Sequence, residues 1–242
     1  VILSDTPIAE QIICAVDLGI NTDAVCSIMK ADGTVLARKF IDFTSDKDRM
    51  IHAMNRTRRK QSKYGPKSTR GLWAYVKRLN EDRAKKISAA IVEFASKHSV
   101  DAIVMEHLDF KGCKKRGSKA QGLSMWNHGI IREKVEQKAH LLGIRIATIC
   151  AWKTSALAFD GSGNVTRDNN NHALATFTTG KQYNCDLSAS YNIGARYFIR
   201  ELLKSLPATE ESRVKAKVPD AGRRTSCTLS TLRALVKELS AA

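Results

Sequence analysis

A mixed α/β fold is what this sequence predicts, and three observations predict it. Three apolar runs separated by turns open the chain, helical and strand-like periods alternate after them, and two of the buried runs end on an acid. The first run, 12–16 (Ile-Ile-Cys-Ala-Val), reads as a strand ending at Asp17, and 24–29 reads as its hairpin partner across a Gly/Asn turn. The pair Asp32-Gly33 then turns the chain into a third strand, 34–43. Strands joined by such short turns pair antiparallel.

Further along, Leu72, Val76, Leu79, Ile87, Ile91 and Phe94 recur at helical spacing. Run 100–105 is a short buried strand capped by Glu106, and a polar loop rich in Gly and Lys, 111–122, follows it. Trp126, Ile130, Val135, Ala139 and Leu142 mark a second amphipathic helix, stopped by Gly143, and 144–149 is another strand. Segment 160–180 is rich in Gly, Asn and Thr and has no clear period. Segment 187–203 reads as a third helix with Asp186 at its N-terminal edge. After Pro207 the pattern weakens into a charged tail with a short helix at 228–239, and there are no internal repeats. Three antiparallel strands followed by α/β units give a mixed sheet with helices on both faces, plus a small irregular insertion.

The 242 residues, 43% hydrophobic, are enough for one substantial core. Forty Lys and Arg stand against 24 Asp and Glu, a formal charge of +16. Such a surplus calls for a polyanionic partner. The apolar runs are too short to span a bilayer and no charged-then-apolar leader stands at the start, so the expected partner is nucleic acid and not a membrane. The six cysteines are scattered without a CxxC pair and read as reduced, mostly buried thiols.

Asp17, Glu106 and Asp186 each have an ordinary explanation as a turn former, a solvated strand end and a helix N-cap. Together they suggest more. If the first and fourth strands are neighbours, Asp17 and Glu106 lie side by side, and the last helix can bring Asp186 across their ends. Three such carboxylates repel one another unless cations bind them. Oxygen-only ligation suits Mg2+, or Mn2+ in its place, and two such ions roughly 4 Å apart can hydrolyse a phosphodiester.

AVDLGIN, IVMEHLDF and CDLSASYNIG, in this order, resemble the three motifs of the RuvC-type nuclease domain, a branch of the RNase H-like fold. More closely, with NRTRRKQSKYG, the helix after it and WNHGIIREKVEQKAHLLGIRIATICAWKTS, they resemble the TnpB family, transposon-encoded RNA-guided DNA endonucleases related to type V CRISPR effectors. The likeness covers about 12–197. It implies that Asp17, Glu106 and Asp186 are catalytic and bind two Mg2+, that guide RNA and target DNA are the partners, and that the protein is cytoplasmic, nucleoid-associated and encoded by a prokaryote or a mobile element. It divides the chain into a nuclease core (1–157, with a basic segment and bridging helix at 47–98), a degenerate zinc-ribbon-like insertion that binds target nucleic acid (158–181), the end of the core (182–205) and the tail (206–242).

Two departures stand out. The zinc-ribbon cysteines of the family would fall near Ala158, Gly161, Thr176 and Thr179, so no structural zinc is expected. Almost nothing precedes Ile12, where relatives carry a recognition region, so the expectation is a fragment or a chain completed by a second chain or RNA. Arg167 stands about where relatives carry an arginine that assists at the active site.

The basic block 47–86 holds 14 Lys and Arg against three acids, and 56–70 has seven basic residues and no acid. Arg56, Arg58, Arg59, Lys60, Lys63 and Arg70 are the candidates for guide RNA or heteroduplex backbone. Lys114, Lys115 and Arg116, in the loop after Glu106, are candidates for the DNA strand being cut. Tyr64, Trp73 and Trp126 could stack on bases, though Trp73 and Trp126 lie on or beside apolar helical faces. Two other readings stay open: an RNA-guided DNA-binding protein that has lost cleavage, and a stand-alone RuvC-like resolvase. An actin-like ATPase also opens on DLG and a hairpin, but its second phosphate loop and adenosine segment have no counterpart here.

Overall fold

The computed structural model describes residues 5–107, 126–168, 171, 173–223 and 225–241. Its centre is a five-stranded sheet of β1 (Ile12–Asp17), β2 (Ala24–Lys30), β3 (Val35–Ile41), β4 (Ala102–His107) and β5 (Arg145–Cys150), in the order β3-β2-β1-β4-β5. β1 pairs antiparallel with β2, β2 antiparallel with β3, β1 parallel with β4 and β4 parallel with β5. The sheet is thus mixed, as the sequence predicts, with its first three strands antiparallel.

β1 is buried on both faces, as expected for a central strand that reads as one apolar run. Ile13 and Ala15 face one layer, and Cys14 and Val16 face the other. The second layer is made by α2 (Arg70–Lys97) and α3 (His128–Leu141), through Ala84, Ile87, Ile91, Ile131 and Val135. The first layer is made by α4 (Cys185–Ser205), which is buried nearly all round.

The segment after Pro207 differs from a charged tail. It folds into α5 (Ala208–Lys217), a short 3-10 turn and α6 (Leu229–Ser240), and Leu229, Leu232 and Leu235 are buried in the core that α4 shares with the sheet. The short helix read at 228–239 is α6, whereas the charge on α5 hides its one buried apolar residue, Val214, in the sequence.

The basic segment differs too. It is a regular helix, α1 (Thr44–Tyr64), separated from α2 by Gly65 at φ 79° and a turn beginning at Pro66. Only Met50 and Thr57 of α1 are buried, so there was almost no apolar period to read.

The 158–181 insertion forms a small antiparallel sheet of β6 (Thr166–Arg167), β7 (Leu174–Thr176) and, just beyond it, β8 (Gln182–Asn184). Phe159 lies at its heart, 5.5 Å from Phe177, 4.9 Å from Tyr183 and 5.3 Å from Tyr191 between ring centres, in edge-on geometries. Among the described residues no helix is long and apolar enough to cross a membrane. The described cysteines are free thiols, and all but Cys150 are buried.

Candidate active site

The sheet register brings the first two acids together. In the parallel pair β1–β4, Val16 stands opposite Met105, and Asp17 and Glu106 come next on each strand. Neighbouring strands lie about 4.8 Å apart, and residues in matching positions share a face. Here that is the face of Ala15 and Val104, the one covered by α4.

Two residues bring the third acid. Gly194 lets α4 sit close on the sheet, since a Cβ there would stand 2.5 Å from the Met29 Sδ and 3.2 Å from the Ala15 Cβ. Asn184 caps α4 by accepting from the Leu187 N–H at 2.8 Å, so capping does not need Asp186. Asp186 sits instead in the first turn, where its carboxyl feels the Thr22 hydroxyl.

Asp17 feels the charges of the other two acids. Burial pushes the Asp17 carboxyl well above its ordinary range, and the charges of Glu106 and Asp186 push it further, while Arg167 acts the other way. Burial raises Glu106, opposed by the Thr154 hydroxyl and the Arg196 charge. Burial raises Asp186 too, opposed by Arg167 and Thr22. Arg167 itself donates to the Ser155 hydroxyl at 2.9 Å.

Among the described residues, no three His, Cys, Asp or Glu side chains converge into a formed metal cage. The acids, Asp17 buried and Glu106 and Asp186 half-buried, are an open group of like charges, and a divalent cation suits such a group. Oxygen ligands match Mg2+ or Mn2+, which take one or two carboxylates each and keep waters.

Sequence reasoning missed what holds Glu106. Its carboxylate accepts from the Thr154 hydroxyl. The Thr154 carbonyl accepts from the Asn192 amide at 3.0 Å, as does the Leu157 carbonyl at 2.9 Å, and the Asn192 oxygen accepts from the Leu229 N–H. One turn along α4, the buried Arg196 donates to four carbonyls, those of Cys150, Trp152, Thr225 and Cys227. Thr154-Ser155 and YNIG were legible only as parts of the resemblance. A polar residue on the otherwise apolar face of α4 was the available signal for Asn192 and Arg196.

Arg56, Arg59, Lys60, Lys63 and Arg70 project from α1 and the start of α2 into solvent, and Arg58 is half-buried. Other members of the basic block serve the fold. Arg83 pairs with the buried Asp23, Lys86 with Asp46 at 2.8 Å, and Lys47 bonds the Ile20 and Asn21 carbonyls. The Trp73 indole donates to Gln61 at 2.6 Å, tying α2 to α1, whereas Tyr64 stands in solvent. Lys114, Lys115 and Arg116 lie outside the described residues.

No family model matches the chain, and neither does any curated protein sequence. Solved structures do. The chain is similar to the protein of a Cas12f1–sgRNA–target DNA complex, with a TM-score of 0.57 and 19% identity over 78% of this chain and 51% of that one. A CRISPR–Cas12f ternary complex gives a TM-score of 0.54 and 18% identity, covering 80% of this chain and 40% of that one. The AacC2c1–sgRNA binary complex gives 0.57 and 10%, covering 78% and 39%. At these identities the likeness is one of fold, and the chain spans about half or less of those chains.

Proposed function

We propose that this chain is the RuvC-like nuclease domain of an RNA-guided, TnpB-like DNA endonuclease, cutting by two-metal hydrolysis at Asp17, Glu106 and Asp186. One observation supports the reading: acids from three distant segments come within electrostatic reach of one another at one end of the sheet, Asp17 buried and Glu106 and Asp186 half-buried. Two Mg2+ ions, or Mn2+, bound there would generate the attacking hydroxide from water and stabilise the leaving oxygen. Asp17, from the sheet centre, would lie between its two partners and share in holding both ions. Thr154, fixed through Asn192, keeps the Glu106 carboxylate oriented. Arg167, exposed beside the acids, would meet a phosphate of the strand being cut.

The solved structures of similar fold, two of them with sgRNA named, support guide RNA and target DNA as partners. Arg56, Arg58, Arg59, Lys60, Lys63 and Arg70 on the α1–α2 hairpin would neutralise guide or heteroduplex phosphates, and Lys114, Lys115 and Arg116 the cut strand. A recognition region or a second chain would complete the assembly.

The test is cleavage of a labelled single-stranded DNA, with and without the co-purifying RNA, in Mg2+ or in EDTA. Metal-dependent cutting lost in Asp17→Asn supports the reading. Metal-independent binding without cutting would make the chain a guided binding protein instead.

A further inference from the structure

Among the described residues, the Phe, Tyr and Trp side chains most exposed to solvent are Phe40, Tyr64, Tyr75 and Trp152. Tyr64 and Tyr75 lie on the basic helices α1 and α2. The other two flank the three acids.

On one flank, Phe40 stands opposite Val25, and Val25 opposite Asp17. Residues directly opposite share a face, so Phe40 looks out on the face of Asp17, two strands away, roughly 10 Å at ordinary strand spacing. The layer containing α4 buries Val25 but leaves the outer strand β3 open, where Leu36, Arg38 and Phe40 are exposed and alternate with half-buried neighbours. The Arg38 guanidinium interacts electrostatically with the Tyr191 and Tyr183 hydroxyls, which lie 3.1 Å apart. Its charge stands exposed on the open strand.

On the other flank, β5 ends at Cys150 opposite His107, one residue past Glu106. The chain then turns through Lys153 in the left-handed region, φ 61°, and returns so that Thr154 bonds Glu106. Trp152 is left outside that turn, 64% exposed. Its position is not slack, because the Arg196 guanidinium bonds the carbonyls of both Cys150 and Trp152 at 2.8 Å. A buried arginine therefore fixes the backbone at Trp152, in the turn that leads from β5 to Thr154, and leaves the indole exposed to solvent. An isolated exposed aromatic is ordinary on a protein surface. Two of them on opposite sides of one charge cluster, with an arginine beside one, form a track.

We propose that Trp152 and Phe40 are base-stacking platforms that hold a single-stranded nucleic acid across Asp17, Glu106 and Asp186, with Arg38 on a phosphate next to Phe40. The choice of occupant rests on the nuclease reading of this face and on its charge. Stacking on aromatic rings accepts any base, and arginine supplies the backbone contact, so the track needs no sequence preference. It would keep the scissile strand extended and unpaired over the acids.

The proposal is tested on the full 242-residue chain in EDTA, so that binding is read without cutting. Labelled oligothymidine is titrated and followed by anisotropy and by tryptophan fluorescence, with circular dichroism as a check on folding. The wild type is expected to show quenched fluorescence, and Trp152→Phe to lose most of the quenching while still binding. Trp152→Ala and Phe40→Leu are each expected to weaken single-strand binding about five- to tenfold, the scale of one lost stack, and to change duplex binding by less than about twofold. Unchanged single-strand affinity in both variants overturns the proposal, as does an equal loss for single strands and duplex. A homodimer that Trp152→Ala dissociates also overturns it, since the indole would then be an interface residue. Failure of the nuclease reading looks different: Asp17→Asn would leave cleavage intact while the stacking variants still bind poorly.

Discussion

The two faces of the central sheet are built from the same strands and do different work. The α2–α3 face is nearly dry, with Cys14, Val16, Ile28, Ile87, Ile91 and Val135 meeting as ordinary apolar packing. The α4 face buries as much apolar surface, but it also holds Asn192 and Arg196, whose polar atoms are taken up by loop carbonyls. The acids of β1 and β4 point to that second face because of register alone: Asp17 continues the row of Ile13 and Ala15, not that of Cys14 and Val16. Shifting β1 by one residue would send Asp17 to the dry side. Buried polar groups occur on the α2 side too, in Asn80, Ser88 and the Arg83–Asp23 pair, but those on the α4 face are the ones linked to Glu106, and the other face anchors the helix that leads from the basic hairpin.

The largest effect that should separate the faces is on cleavage. Asp17→Asn, Glu106→Gln and Asp186→Asn are each expected to lower the cleavage rate by about 10^3-fold or more, comparable to losing a transition-state charge stabiliser. Ile91→Ala, on the dry face, should cost about 2–5 kcal/mol of stability and leave the rate per folded molecule unchanged. Denaturant melts beside single-turnover rates measure both. If Ile91→Ala abolished cleavage in folded protein, the two faces would not be separable.

Arg196→Met comes next. Of the four carbonyls it strands, only that of Cys227 is in a fully buried bond, so the loss should be about 1–3 kcal/mol, the cost of one buried acceptor left unsatisfied, and it should also slow cleavage by loosening the turn that carries Thr154. Gly194→Ala should cost about 1–3 kcal/mol by overpacking against Met29, and should slow cleavage because Asp186 rides on the same helix.

A smaller effect concerns pH. All three acids titrate above their ordinary range, so the metal-free folded state holds their protons more tightly than the unfolded chain does. That contribution to stability is present below the ordinary carboxylate values and is lost as pH rises through the raised ones. Once the pH has risen through its raised range, Asp17→Asn removes a buried charge. It should therefore raise the metal-free Tm by about 2–4 °C, the shift that 1 kcal/mol gives in a chain of this size. Mg2+ should raise the wild-type Tm, more so at higher pH where protons compete less, and leave the variant unmoved. A variant that melts lower than wild type without metal would contradict the charge-cluster account.

The smallest effect lies on the hairpin. Arg59→Ala should weaken nucleic-acid binding a few-fold and reduce the salt slope by about one unit, without changing the cleavage rate of bound substrate.

How much of this was legible follows from the physics of each part. The central strands, Asp17 and Glu106 were readable because an acid that ends an apolar run is conspicuous, whereas Asp186 stood out only as an acid at the start of the last long helix. Helix α2 was readable because one of its faces is apolar. Helix α1 was not, since it buries only Met50 and Thr57 and its remaining surface is polar. The small sheet of the insertion escaped because its strands are two or three residues long and are held by Phe159, Phe177 and Tyr183, which are spaced without period. Thr154, Asn192, Gly194 and Arg196 escaped as supporting residues because their partners are backbone carbonyls and a neighbouring strand, and no sequence pattern names those.

The central claim, that three distant carboxylates form one cation site, is tested most directly by Mn2+ titration followed by electron paramagnetic resonance. The wild type is predicted to take up Mn2+ that Mg2+ displaces, with binding weakened in each of Asp17→Asn, Glu106→Gln and Asp186→Asn. Equal Mn2+ binding in the wild type and all three variants would contradict it.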